Sequence, residues 1–140
     1  MNDNFDRCLA FVLKWEGGYV CDKHDPGGET KYGISKRSHP DLDIKCLSMV
    51  EAKQIYFNEY WIPSGCDKHV WPMDLIMFDT AVNMGQKRAL ILFQENIDWR
   101  DFLLGRINFY LSITHKTKDR FLKGWINRVL GLYSEIRRKF

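Results

Sequence analysis

The feature that most limits the fold is a helical hydrophobic period that stops abruptly at a pair of glycines. From Asn4 to Glu16 the apolar residues Phe5, Leu9, Val12 and Leu13 recur at the spacing of one helix face. Gly17-Gly18 then offer the left-handed backbone conformation that closes a helix. The next stretch, Gly17 to Pro40, is rich in Gly, Pro and Asp and has no helical period; short strands around Lys31 to Ser35 predict a small hairpin or an irregular lobe. Helical patterning returns at Ser48, which with Glu51 spells a capping box ahead of Ala52, Ile55, Tyr56 and Tyr60. Met73 to Asn83 reads as a helix ending at Gly85, and Lys87 to about Asn96 as another. Asp98 can cap a helix carrying Leu103, Leu104, Ile107 and Leu111, and Thr117 can begin the last, with Phe121, Leu122, Trp125, Ile126, Val129, Leu130, Tyr133 and Ile136. The expected class is mainly α, of the α+β kind: a helical bundle core with an irregular or small β-hairpin region after helix one.

At 140 residues the chain has room for one domain of ordinary size. Its 45% hydrophobic content excludes wholesale disorder. The longest run free of Asp, Glu, Lys and Arg, Ile107 to His115, falls well short of the ~20 residues of a membrane span, so no stable membrane insertion is expected. The opening residues Met1-Asn2-Asp3-Asn4-Phe5-Asp6 carry no basic region of the secretory type, so a separate route out of the cytoplasm is expected. Charge is polarised: from His115 to Phe140 eight basic residues face Asp119 and Glu135, a local +6 within an overall +3. Such an end suits an anionic polymer or a solvated helix face; no nucleic-acid motif accompanies it, so nucleic acid is not the expected partner.

Glu16 is the residue that first needs explaining. It stands at the last turn of an apolar helix, where the partial negative charge of the helix end opposes ionisation, with Trp15, Gly17, Gly18 and Tyr19 around it. A carboxyl kept protonated near neutral pH is what a glycosidase needs in order to protonate a leaving sugar oxygen. The alternative is an exposed Glu beside a glycine turn. Asp25 opens Asp25-Pro26-Gly27-Gly28, and Thr30 follows, so an acid, a second carboxylate and a hydroxyl share one turn-rich segment. An Asp opening a Pro-Gly turn is equally a structural device. The repeated tetrapeptide Cys21-Asp22-Lys23-His24 and Cys66-Asp67-Lys68-His69 can be written as four zinc ligands, but zinc sites more often use Cys-x-x-Cys with a His pair; the expectation is free thiols, no metal and no organic cofactor.

The order of Glu16, Asp25 and Thr30 looks like the acid and water-positioning pair of phage-type lysozymes. Four blocks carry a closer resemblance: Glu16-Gly17-Gly18-Tyr19; Asp25-Pro26-Gly27-Gly28-Glu29-Thr30-Lys31-Tyr32-Gly33-Ile34-Ser35; Glu51-Ala52-x-x-Ile55-Tyr56-x-x-x-Tyr60-Trp61; and Phe78-Asp79-x-Ala81-Val82-Asn83-x-Gly85. Together they resemble the glycoside hydrolase 108 family of peptidoglycan-cleaving N-acetylmuramidases, found as phage endolysins and as bacterial secretion activators. Arg106-x-x-x-Tyr110 and Phe121-x-Lys123-Gly124-Trp125-x-Asn127-Arg128-Val129 are similar to that family's peptidoglycan-binding region. Here Ile97-Asp98-Trp99-Arg100 leads almost directly into that region, where family members usually carry a longer segment with a Gly-rich turn.

The resemblance implies a lysozyme-like fold in one compact unit, with a muramidase region over 1–95 and a shortened peptidoglycan-binding region over 96–140. It implies Glu16 as catalytic acid, with Asp25 and Thr30 as second-tier catalytic residues. Gly18, Tyr19, Tyr32, Trp61, Asp79, Asn83, Trp125, Asn127 and Arg128 are the expected substrate contacts. For Asp79 and Asn83 an internal hydrogen-bond device competes with a place in the sugar cleft, and for the aromatic residues simple core packing competes with a pyranose platform. The implied partner is peptidoglycan, met by a monomer that reaches the cell wall or periplasm through a holin pore or a dedicated export route. Two rival activities remain: a lytic transglycosylase, which also needs one Glu, and a catalytically inactive cell-wall-binding secretion helper.

Overall fold

Helix α1 (Asp3–Glu16) forms where the apolar period places it. Phe5, Cys8, Leu9 and Val12 are buried, and Gly17, at φ +74°, ends the helix in the left-handed region. The computed structural model describes residues 3–21, 24, 28–114 and 121–139, and the chain divides into two compact units, 1–63 and 64–140.

In the first unit, α1 leads into a three-stranded antiparallel sheet of β1 (Val20–Cys21), β2 (Glu29–Lys31) and β3 (Ile34–Ser35), in that spatial order. Val20 pairs with Thr30, and Thr30 in turn with Ser35. The hairpin expected near Lys31 to Ser35 is the β2–β3 turn. Lys31 pairs with Ile34, leaving Tyr32 (φ +54°) and Gly33 (φ +77°) as the two-residue loop. Positive φ at both positions is what the type I′ turn requires, the turn whose twist matches its strands.

Helix α2 (Met49–Tyr56) begins at the expected capping box: the Glu51 amide donates to Ser48 Oγ at 3.2 Å and the Ser48 amide to Glu51 Oε2 at 2.8 Å. Its register then widens into a π-helical turn, Phe57–Trp61, in which the Ile62 amide donates to the Phe57 carbonyl five residues back. This turn sends Trp61 inward to 1% exposure, with its ring 5.3 Å from that of Phe5, while Phe57 meets the same ring edge-on at 5.1 Å. An ion pair, Lys53 Nζ to Asp6 Oδ1 at 2.6 Å, also ties α2 to α1.

The second unit is helical: a 3₁₀ turn (Cys66–Lys68), α3 (Met73–Met84), α4 (Gln86–Glu95), α5 (Trp99–Thr114) and α6 (Leu122–Arg137). Asp74 to Ala81 are all buried, so α3 is enclosed around its whole circumference and its polar members Asp74, Asp79 and Thr80 are buried with the apolar ones. The 3₁₀ turn, α4 and α5 pack on it, and α6 packs on α5. Asp98 caps α5 as its sequence position indicates, its Oδ1 accepting from the Arg100 amide at 2.9 Å. The start expected at Thr117 lies outside the described residues; α6 runs from Leu122. Among the described residues no helix is long and apolar enough to cross a membrane.

Candidate active site

The end of α1 and the β2–β3 turn meet at Glu16. Its side chain is half-buried, and its methylenes lie directly over Gly33: a Cβ placed on Gly33 would sit 2.8 Å from Glu16 Cβ and 2.6 Å from the Tyr56 hydroxyl. That hydroxyl donates to the Tyr32 carbonyl at 2.6 Å. One turn of backbone is thus gripped between the carboxylate-bearing helix and α2. Gly33 is required there twice, by its positive φ and by the two side chains crowding its Cα.

The remaining neighbours are aromatic. Tyr60, half-buried on the π-helical turn, stacks at a tilt on Tyr56 with centroids 5.6 Å apart. Burial pushes its phenol up from the ordinary value, with further upward pressure from the charges of Glu59 and Glu16. Tyr60 therefore stays a neutral hydrogen-bond donor within electrostatic range of Glu16. The sequence places Tyr60 on the apolar face of the second helix and in the third family-like block, with no site role. The signal that marks it is the backbone widening at Phe57–Trp61, a feature that clusters at functional sites and has no sequence signature.

Of the other expected site residues in this unit, Gly18 is exposed, and a side chain there would meet nothing within 4 Å, which leaves room for a ligand beside Glu16. Tyr19 is 42% exposed and donates to Glu29 Oε1 at 2.9 Å; that hydrogen bond, then desolvation, raise its phenol so that it too remains neutral. Thr30 is half-buried at the centre of the sheet, paired on both sides. Tyr32 is half-buried at the turn, with Lys31 Nζ 5.4 Å from its ring centre. Asp25 lies outside the described residues. Trp61, at 1% exposure, packs in the aromatic core with no face open to a sugar ring. Beside the π-helical turn, His39 Nε2 meets both oxygens of Glu59 at 3.0 and 3.1 Å, on the wall of a pocket of about 380 Å³.

In the second unit three expected substrate contacts, Asp79, Asn83 and Arg128, belong to one internal network. Asp79 is fully buried; its Oδ2 accepts from Arg106 Nη1 at 2.7 Å and its Oδ1 from Arg128 Nε at 3.0 Å. Arg106, also fully buried, donates further to Thr80 Oγ1 at 3.0 Å and to Tyr110 Oη at 2.9 Å. The Tyr110 hydroxyl donates to Asn83 Oδ1. Arg128 is 6% exposed, its guanidinium turned toward Asp79 and away from solvent. Buried charges persist only when paired in this way, and breaking such a pair costs about 3–5 kcal/mol. Thr80 was absent from the expected site, and Arg106 and Tyr110 were read only as part of the motif similar to a peptidoglycan-binding region, without a place in this network. Their signal was the polar trio Asp79, Thr80 and Asn83 on an apolar helix, which demands partners from elsewhere.

Trp125 is half-buried and stacks on Tyr110 with centroids 4.9 Å apart and planes 15° apart; Asn127 is exposed. None of the four cysteines is in a disulfide; Cys21 and Cys46 are exposed, Cys8 and Cys66 buried. Burial raises the Cys66 thiol, which disfavours the thiolate that a metal would need. Among the described residues no group of three or more His, Cys, Asp or Glu is arranged to hold a metal ion.

Comparison with known proteins adds three findings. The profile of the family described as Glycosyl hydrolase 108 matches residues 9–85, a span that holds Glu16, the β2–β3 hairpin, α2 and α3. A solved structure titled "Structure of Brucella abortus SagA" superposes with a TM-score of 0.78 over 96% of this chain and 94% of that chain, at 23% identity, which is a likeness of fold. No curated protein matches the chain.

Proposed function

The chain belongs to the glycosyl hydrolase 108 family, and from that membership we propose that it hydrolyses the β-1,4 bond between N-acetylmuramic acid and N-acetylglucosamine in peptidoglycan, with Glu16 as the general acid. The observation that carries this reading is the placement of Glu16: a half-buried residue at a helix C-terminus, pressed on a hairpin turn, with open space over Gly18 and the neutral phenol of Tyr60 within its electrostatic reach.

Breaking a glycosidic bond requires a proton on the leaving oxygen and a stabilised, oxocarbenium-like sugar. Glu16 supplies the proton. Tyr60, a neutral donor in range, steadies the carboxylate left behind, and Thr30 and Asp25 orient and activate water. Carboxyl groups ~6.5–9.5 Å apart would make the reaction inverting, and ~5–5.5 Å retaining. Tyr19, Tyr32 and Gly18 line the sugar path, and Trp125 and Asn127 offer a second, wall-facing contact beside the basic C-terminal segment. The protein acts as a monomer at the cell wall or periplasm, delivered by a holin pore or a dedicated export route.

Glu16→Gln keeps the shape and removes the transferable proton. It is expected to lower clearing of a purified peptidoglycan suspension by at least ~100-fold, in line with the loss of general acid catalysis. Clearing at the wild-type rate overturns the assignment.

A further inference from the structure

The proposed mechanism uses Glu16, Thr30, Asp25 and Tyr60, but not the Tyr56 hydroxyl, which crowds the same glycine as the Glu16 side chain. Tyr56 is 2% exposed, and its ring belongs to the core of α2. A ring in the core needs no hydroxyl for packing; a phenylalanine would fill the same volume. The hydroxyl instead reaches out of α2 to the hairpin turn, donating to the Tyr32 carbonyl at 2.6 Å. It also lies 2.6 Å from the point a Gly33 Cβ would occupy, a point 2.8 Å from Glu16 Cβ and 3.0 Å from Glu16 Cγ. The hydroxyl and the methylenes of Glu16 therefore press on the same glycine.

We infer that Tyr56 is a positioning residue for Glu16: by bonding the Tyr32 carbonyl it holds the Tyr32-Gly33 turn as a fixed wall, and that wall sets the direction in which the Glu16 carboxyl points. The physical chain is short. Tyr32, a non-glycine residue at φ +54°, resists its left-handed conformation and is retained there by partners. Released from Tyr56, the turn can relax; Gly33 then recedes, and the Glu16 side chain gains rotamers that the wall had closed. Misplacing a reacting group by about 1 Å costs up to ~100-fold in rate, because proximity and orientation supply much of the acceleration. This inference rests on the reading of Glu16 as the acid, and it deepens that reading by naming what aims it.

The test is steady-state kinetics on soluble, uncrosslinked glycan strands with the full chain, comparing wild type, Tyr56→Phe, Glu16→Gln and the double variant. Tyr56→Phe is expected to lower kcat ~10–100-fold with KM within about two-fold of wild type, while circular dichroism shows the variant fully folded at the assay temperature. The double variant is expected to match Glu16→Gln alone, since aiming an absent acid has no value; a merely structural role would lower its residual rate further. A Tyr56→Phe kcat within two-fold of wild type, or a loss accounted for by unfolded protein, overturns the inference. If Glu16→Gln is inactive in that same experiment, the reading of the acid stands without it. A Glu16→Gln variant that works at the wild-type rate overturns both.

Discussion

At the scale of single residues, the site is explained by what Gly33 excludes. A methyl group there would fall 2.6 Å from the Tyr56 hydroxyl and 2.8 Å from Glu16 Cβ, at a φ that alanine adopts poorly. Gly33→Ala is therefore expected to destabilise the protein by about 2–4 kcal/mol, combining overpacking with backbone strain, as read from the urea midpoint. An unchanged midpoint would mean that the turn is free to move and does not hold Glu16. The position of Glu16 at the closing turn of an apolar helix was legible in the sequence, whereas its proposed role as the acid came from the family resemblance. Gly33 was legible as a turn residue only. Its crowding comes from residues 17 positions before it and 23 after it, a proximity that no local pattern encodes. Arg128 shows the reverse case: beside exposed Asn127 it reads as a ligand contact, yet its guanidinium turns inward to Asp79 on α3, 49 residues away in sequence.

At the scale of elements, stops and caps were the most readable features, since each is a local bargain between a side chain and unpaired backbone groups. The Ser48–Glu51 box, the Asp98 cap and the glycine end of α1 all stand where the residues indicate. The box also predicts a pH response. The Ser48 hydroxyl and amide hold the Glu51 carboxyl below its ordinary value. A carboxyl depressed on folding stabilises the native state above the unfolded value, ~4.3, and that contribution is lost as pH falls through the lower folded value. Glu51→Gln is accordingly expected to be less stable than wild type at pH 6, with the gap closing between about pH 5 and pH 3. A gap that stays constant across this range, in thermal midpoints measured at each pH, would contradict it. The π-helical turn after α2 was not readable, because its widening accompanies the packing of Trp61 against Phe5, a contact spanning 56 residues of sequence. The sheet was half-readable: the β2–β3 hairpin announces itself through Tyr32-Gly33, whereas β1, two exposed residues long, has no pattern of its own.

At the scale of the whole molecule, the described residues form helices and a small sheet, where the helical period and the turn-rich segment after α1 predicted a helical core with a small hairpin or irregular lobe, and the likeness to the SagA structure runs through nearly all of both chains. Family membership rests on residues 9–85, the part that contains Glu16 and the turn it leans on. The polarised charge acquires a setting as well: the basic excess of the last 26 residues falls on the segment proposed to face the cell wall. What joins these levels is the proposed reaction, in which the Glu16 carboxyl, held against a hairpin turn, protonates a glycosidic oxygen while water oriented by Asp25 and Thr30 adds across the bond. The most direct test is mass spectrometry of the soluble fragments released from purified peptidoglycan by wild type and by Glu16→Gln. The account predicts fragments ending in reducing N-acetylmuramic acid from wild type and none above background from the variant. Fragments ending in 1,6-anhydro-N-acetylmuramic acid, or equal release by the two proteins, would contradict it.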